Sequence, residues 1–205
     1  MFPAFLIKLV IIKTIIVMKK ITLLALLFVC GITNAQTYCS INPDYVDVEE
    51  ITSVNFGGTP MTNTNITSIL VDFTSTVINV NKNQVYSLVV KGNSYGDFDN
   101  EYVAYIDWDH NGVLNNAGEV FYIGLITDST GYDAKTASTN ITVPVSALTG
   151  NTRIRIVKVY TDQSADYILN QDPCYISTED VFFGSPGIIE GSYGQALDFT
   201  LNVSA

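Results

Sequence analysis

Ala196-Leu197-Asp198-Phe199-Thr200-Leu201-Asn202-Val203 alternates apolar and polar residues almost without a break. In an extended chain Leu197, Phe199, Leu201 and Val203 point one way, and Ala196, Asp198, Thr200 and Asn202 point the other. That is the pattern of a half-buried β-strand. Similar short runs precede it at Ile66–Phe73, Gln84–Val90, Tyr102–Asp107, Val120–Ile126, Ser138–Val143 and Thr152–Tyr160. Clusters of Asn, Gly, Ser, Thr and Asp separate them, and no strong helical period appears. The pattern predicts an all-β fold, a single-domain antiparallel β-sandwich, with a closed barrel as the other solution. Gly92–Asn100 and Asp128–Lys135 read as loops. Thr161–Gly194 reads as a long irregular excursion.

Between two of these strands lies Asp107-Trp108-Asp109-His110-Asn111-Gly112-Val113-Leu114-Asn115-Asn116-Ala117-Gly118-Glu119. Asp107, Asp109 and Asn111 stand at alternate positions, and Gly112 follows to take a turn that a side chain would block. A hard cation such as calcium binds oxygens arranged in this way. An EF-hand loop would carry a bidentate acid at its twelfth position, but Gly118 stands there and Glu119 comes one residue later. The expectation is a calcium loop between strands, not between helices. Its first ligands are Asp107, Asp109, Asn111 and the Val113 carbonyl, with Asn115 and Glu119 as weaker candidates; Asp97, Asp99 and Asp198 complete the shell only if folding brings them close. The plain alternative is an Asn-Gly hairpin turn whose acids face water.

Other chemistry finds little support. His110 is the only histidine, so a histidine-rich zinc site is excluded, and no nucleophile-elbow sequence accompanies it. The chain reads as a non-enzyme. Trp108, the only tryptophan, reads as a core residue more than a sugar platform. Arg153 and Arg155 project from one face of a strand. They suit an internal ion pair with Glu119 or Asp198, or a clamp on a carboxylate ligand.

The amino-terminal end has a different composition. The first 35 residues hold no Asp or Glu and four lysines, Lys8, Lys13, Lys19 and Lys20. Met18-Lys19-Lys20, the apolar run Ile21–Ile32 and Thr33-Asn34-Ala35 have the layout of a secretory signal peptide cut after Ala35, with Met18 as its start. An uncleaved anchor would have to bury those lysines, so no stable membrane insertion is expected after cleavage. Residues 36–205 then form one domain carrying all 20 acids of a chain whose net charge is −10. Such a surface repels nucleic acid and anionic lipid and suits cations. Removing the leader removes Cys30 and leaves Cys39 and Cys174, an even count that predicts one disulfide in an exported chain. In the chain-entropy model so long a loop contributes about 4–5 kcal/mol.

Five blocks occur in order: Tyr38-Cys39, Asp107–Gly112, Ala117-Gly118-Glu119, Val143–Arg155, and Tyr193-Gly194-Gln195-Ala196-Leu197-Asp198-Phe199. Together they resemble the GEVED domain of secreted bacterial proteins, across nearly all of Gln36–Ala205. The naming motif falls on Gly194–Asp198, where Gln195 and Leu197 replace the usual glutamates. If those glutamates help to hold a cation, this copy holds it less tightly. The stretch between Cys174 and Tyr193 resembles an insertion. The resemblance implies an extracellular all-β module, often attached to secreted peptidases or adhesins. The resulting expectation is a secreted or cell-surface, calcium-stabilised module that recognises a glycan or protein. A purely structural spacer or accessory domain is the other reading.

Overall fold

The computed structural model describes residues 36–41, 46–161, 172–176 and 192–205. The chain divides into two compact units, Met1–Gln36 and Thr37–Ala205, and every described strand lies in the second. The expected leader and most of the Thr161–Gly194 excursion lie outside the described residues. Among the described residues there is no helix, and so none long and apolar enough to cross a membrane.

The strands are β1 (Val46–Val48), β2 (Ile51–Phe56), β3 (Thr59–Thr62), β4 (Leu70–Asn81), β5 (Val85–Gly92), β6 (Asp99–Ile106), β7 (Val120–Thr127), β8 (Ala137–Thr142), β9 (Gly150–Thr161) and β10 (Ser192–Ser204). They form two sheets. The larger runs β1-β10-β9-β6-β7, with β4 also paired to β10; the smaller runs β3-β2-β5-β8. Both β1 and β4 lie parallel to β10, and all other pairings are antiparallel. The fold is the expected all-β sandwich, with parallel pairing at one edge of the larger sheet.

The main core lies between the sheets. Phe56, Leu88 and Ile141 meet Ala104, Ile106, Ile154, Ile156, Leu197, Phe199 and Leu201 there. The alternation in β10 thus puts Leu197, Phe199, Leu201 and Val203 inward, as read from the sequence. Its other face is not simply solvated. Ala196 and Asp198 are buried as well, because the larger sheet has a second apolar cover on its outer face. There Ile41, Leu114 and Ile176 pack against Val103, Tyr105, Val157, Val159 and Ala196. The central strands β6 and β9 are therefore buried on both faces and read as runs rather than alternations.

Three short strands at the amino-terminal side, β1 to β3, have no counterpart among the runs read from the sequence. In β2 a register shift between Ile51 and Ser53 breaks the alternation. Gly57 and Gly58 link β2 to β3, with φ of 58° and 82°, the left-handed pair that a tight hairpin requires. The strand expected at Ile66–Phe73 instead begins at Leu70 and continues to Asn81. Asn65 Oδ1 accepts hydrogen bonds from the backbone N–H groups of Thr67 (3.0 Å) and Ser68 (2.9 Å), which curls residues 65–68 into a turn. Further on, the register jumps from Phe199↔Phe73 to Thr200↔Val77, so Thr74-Ser75-Thr76 bulge out before pairing resumes.

Candidate metal centre

The bend Asp107–Glu119 joins β6 to β7, neighbours within the larger sheet. The Ile106 N–H donates to Glu119 O at 2.9 Å, closing its neck. Asp107 N–H donates to Arg153 O at 3.2 Å, and Thr152 Oγ1 donates to Asp107 O at 2.5 Å. The root of the bend is thereby fixed to β9. Trp108 anchors the next step: its carbonyl accepts from Leu148 N–H at 2.8 Å, and its ring sits in the main core, edge-on to Phe121. Beyond it, His110 and Gly112 take positive φ values of 56° and 83°. A Cβ on Gly112 would lie 3.2 Å from Thr37 O, so conformation and space both favour glycine there.

The acids converge. Asp107, Asp109 and Glu119 each place a carboxylate oxygen within 4.8 Å of the others. Asp107 and Glu119 are buried and Asp109 is exposed. Asp107 accepts from the N–H groups of Asn111 (3.1 Å) and Gly112 (3.0 Å) and from the Tyr38 hydroxyl (2.8 Å). Glu119 accepts from the N–H groups of Trp108 (2.8 Å) and Asn116 (3.2 Å). These bonds orient both carboxylates. Burial first, and the Asp109 and Asp107 charges after it, push the Glu119 carboxyl above the usual range against the pull of its two N–H donors. Burial also raises the Tyr38 hydroxyl, so it stays a donor to Asp107.

The other expected ligands are placed differently. Asn111 lies on the bend with its Nδ2 donating to Asp109 Oδ2 at 3.0 Å and its Oδ1 accepting from Val113 N–H at 2.7 Å. Val113 and Asn115 are exposed and border a cavity of about 380 Å³, also lined by Tyr38, Leu114, Cys39 and Cys174. Asp198 is not a member of the cluster. Arg155 Nε and Nη2 hold its two oxygens at 2.7 and 2.9 Å, and Arg153 Nη1 donates to it as well. Three charge-assisted bonds from two guanidinium groups commit this carboxylate to the arginines, apart from the cluster at the bend. The two arginines therefore form the internal pair, not a clamp for an outside ligand. Asp99 stands at the opposite end of β6 from Asp107, about 25 Å away at strand rise, and Asp97 precedes it.

In the sequence Tyr38-Cys39 stands out only as a block of the family resemblance; its support of this site comes from the fold. The Tyr38 hydroxyl reaches Asp107, and its ring carries the Arg153 guanidinium 4.7 Å from its centroid. Cys39 and Cys174 are joined in the expected disulfide. Arg155 reaches across to Cys39 O and Pro173 O, both at 2.8 Å. The disulfide and this guanidinium clamp the arm onto the outer face beside the bend.

A strand-only sandwich with a disulfide-clamped arm and an acidic bend between adjacent strands is an all-β module suited to an oxidising compartment. A family model described as the GEVED domain matches residues 101–202, and over that stretch the chain belongs to this family. The match takes in the bend and β6 to β10; it is shorter than the Gln36–Ala205 span that the sequence blocks implied. No curated protein matches the chain. Among solved structures, a similar chain is AvmM, described as catalysing macrocyclization in alchivemycin A biosynthesis. It is 10% identical, over 82% of this chain and 98% of that one, with a TM-score of 0.33, too distant to bear on function.

Within the family motif, Gln195 is fully buried and far more committed than a degraded ligand would be. Its Oε1 accepts from Ile51 N–H (3.0 Å) and Asn63 Nδ2 (2.8 Å). Its Nε2 donates to Asn65 O (2.8 Å) and Ser68 O (3.0 Å). Leu197 faces the main core. Neither belongs to the acidic cluster at the bend.

Proposed function

We propose that this chain is a secreted or cell-surface β-sandwich module in which a calcium ion fixes the Asp107–Glu119 bend and neighbouring loops recognise a glycan or a protein. One observation carries the reading: the oxygens of Asp107, Asp109 and Glu119 stand within 4.8 Å of one another. Calcium takes six to eight oxygens at about 2.3–2.6 Å, and a set of hard, partly buried carboxylates suits it. The Asn111 side chain, the Val113 carbonyl and Asn115 are the further oxygens on the same bend. A cation would offset the burial that chiefly lifts Glu119 and the Asp109 and Asp107 charges that add to it.

Recognition, not catalysis, is the proposed role. Aromatic side chains support it. Phe98, Tyr160 and Tyr193 form an edge-to-face row, with centroid spacings of 5.8 and 6.0 Å. Tyr132 and Tyr95 are also exposed. Such rings pair an apolar face with a polar rim and suit sugars or peptides. The strong acidity argues against nucleic acid as a partner. Export is part of the proposal, resting on the leader-like residues 1–35 and the disulfide.

Thermal melting in calcium and in chelator tests the metal reading. The expected result is a higher melting temperature in calcium, lost in Asp109→Ala; equal melting in both solutions counts against it. A glycan and protein array tests recognition. The alternative, a structural spacer, has its own support: backbone N–H groups and Tyr38 already satisfy Asp107 and Glu119, so the bend holds its shape without an ion. Silence across the array would favour it.

A further inference from the structure

The interior of the sandwich carries a polar layer further along β6 from the bend. Tyr102, Lys158 and Gln195 are register partners across β6, β9 and β10 and are completely buried. By strand alternation they share the inward face with Ala104, Ile156 and Leu197 of the main core. A lysine there is exceptional. Lys158 Nζ donates to Glu49 Oε2 at 2.9 Å and to Asn93 O. Glu49 is held in place by its own N–H, which donates to Gly194 O at 3.2 Å. Glu50, beside it, accepts from Asn93 Nδ2 (3.2 Å) and the Tyr95 hydroxyl (2.7 Å). The Tyr102 hydroxyl is buried here with no hydrogen-bond partner among the described residues. Gly92 makes room for it: a Cβ on that residue would collide with Tyr102 Oη and with Glu50 O.

We propose that Lys158 Nζ and Glu49 Cδ condense into an intramolecular amide that ties the end of β1 to β9. The pair is already in contact, with Lys158 fully buried and Glu49 nearly so, and is surrounded by groups suited to the reaction. Burial drives both partners toward their neutral forms. It lowers Lys158 to about 8 and raises Glu49, outweighing in each case the attraction that favours the ion pair. The Glu50 charge lifts Glu49 further. Proton transfer within the pair then yields an amine facing a carboxylic acid. The nitrogen lone pair attacks Cδ, a C–N bond forms, and the carbonyl π electrons move onto oxygen. The Tyr102 hydroxyl, buried in the same layer as Lys158 and without a hydrogen-bond partner among the described residues, is the donor we assign to that oxygen. The C–O bond breaks, and the hydroxyl leaves as water with a proton from nitrogen. No oxidant or second reactant is required. Fixed neighbours react with effective molarities on the order of 10⁵–10⁸ M, and the released water leaves a dry layer.

The amide also resolves an awkward arrangement. A buried ion pair loses much of its attraction to desolvation, and this one leaves the Tyr102 hydroxyl idle. Condensation removes both charges and offers that hydroxyl an amide oxygen. The bond would fasten the amino-terminal arm at residue 49, as the disulfide fastens it at Cys39.

The test is the mass of the full chain after export, purified, denatured and reduced, against its sequence from the observed amino terminus. The proposal requires a protein lighter by one water, and a branched peptide containing both Glu49 and Lys158 on proteolysis. Lys158→Met and Glu49→Ala must each restore the full mass, and Tyr102→Phe must delay the loss of water. An unmodified mass with both peptides recovered linear overturns the proposal. So does loss of one ammonia with Lys158 joined to Asn93. Neither reading depends on a variant folding, nor on the metal site.

Discussion

Restoring the family's glutamate at position 195 should destabilise this protein. In Gln195→Glu the shape is unchanged, but the two donors on Nε2, aimed at Asn65 O and Ser68 O, are replaced by an oxygen. An ionised carboxylate would face two carbonyl oxygens in a fully buried site. Stranding these two half-buried acceptors costs up to about 1–3 kcal/mol each before any repulsion. Lys158, the cross-strand neighbour, is already committed to Glu49 and gives no relief. The escape is protonation, which recovers one donor. Holding an ordinary glutamate protonated at pH 7 costs roughly 4 kcal/mol, at 1.36 kcal/mol per pH unit. Either route predicts a loss of about 4 kcal/mol, or roughly 8–16 °C in melting temperature for a domain of this size. The sign with pH follows. The introduced carboxyl would have a folded pKa above its unfolded value, so its contribution is favourable at acid pH and is lost as pH rises through the folded pKa. The gap between variant and parent should therefore narrow toward pH 4. Urea unfolding of both proteins from pH 4 to 8 measures it. Equal stability at pH 7 with no narrowing would refute the hydrogen-bond assignment of Gln195.

Cys39→Ala with Cys174→Ala opens a tie spanning 135 residues and frees the arm; the expected loss is about 2–5 kcal/mol, read by denaturant unfolding. Gly112→Ala forces a side chain into φ of 83° against Thr37 O and should cost about 1–2 kcal/mol, seen as a lower melting temperature. The Tyr95 hydroxyl is raised to about 12, first by its hydrogen bond to Glu50 and then by burial. Because its folded pKa lies above the unfolded value, its stabilising contribution is complete below about pH 10 and is lost as pH rises through 12. Phenolate absorbance on alkaline titration should show a late-ionising tyrosine that moves toward the ordinary range in Glu50→Gln.

The strands legible in the sequence are those where local pattern and burial agree. In β10 one face is wholly core, and its alternation shows it. Apolar runs on each side of Asn111-Gly112 mark β6 and β7. The amino-terminal strands escape such a reading because a bulge in β2 spoils the period and β1 has only three residues. The site divides on the same line. Spacing brings out Asp107 and Asp109, which local geometry alone sets beside each other. Glu119 is the weaker candidate by spacing, yet it joins the cluster because the hairpin neck returns it to Asp107. Asp198 reads as a ligand only while its partner is unknown; the Arg155↔Asp198 register decides that partner, and no local motif records it. Tyr38 and Glu49 find their partners 69 and 109 positions away in the chain, and only the folded arm reveals them.

Calorimetric titration of calcium into chelator-stripped protein decides whether the bend is a metal site. Saturable binding of one ion per chain is expected, abolished by Asp109→Ala and weakened by Glu119→Gln. Absence of binding in the parent, or equal binding in parent and Asp109→Ala, would contradict the assignment.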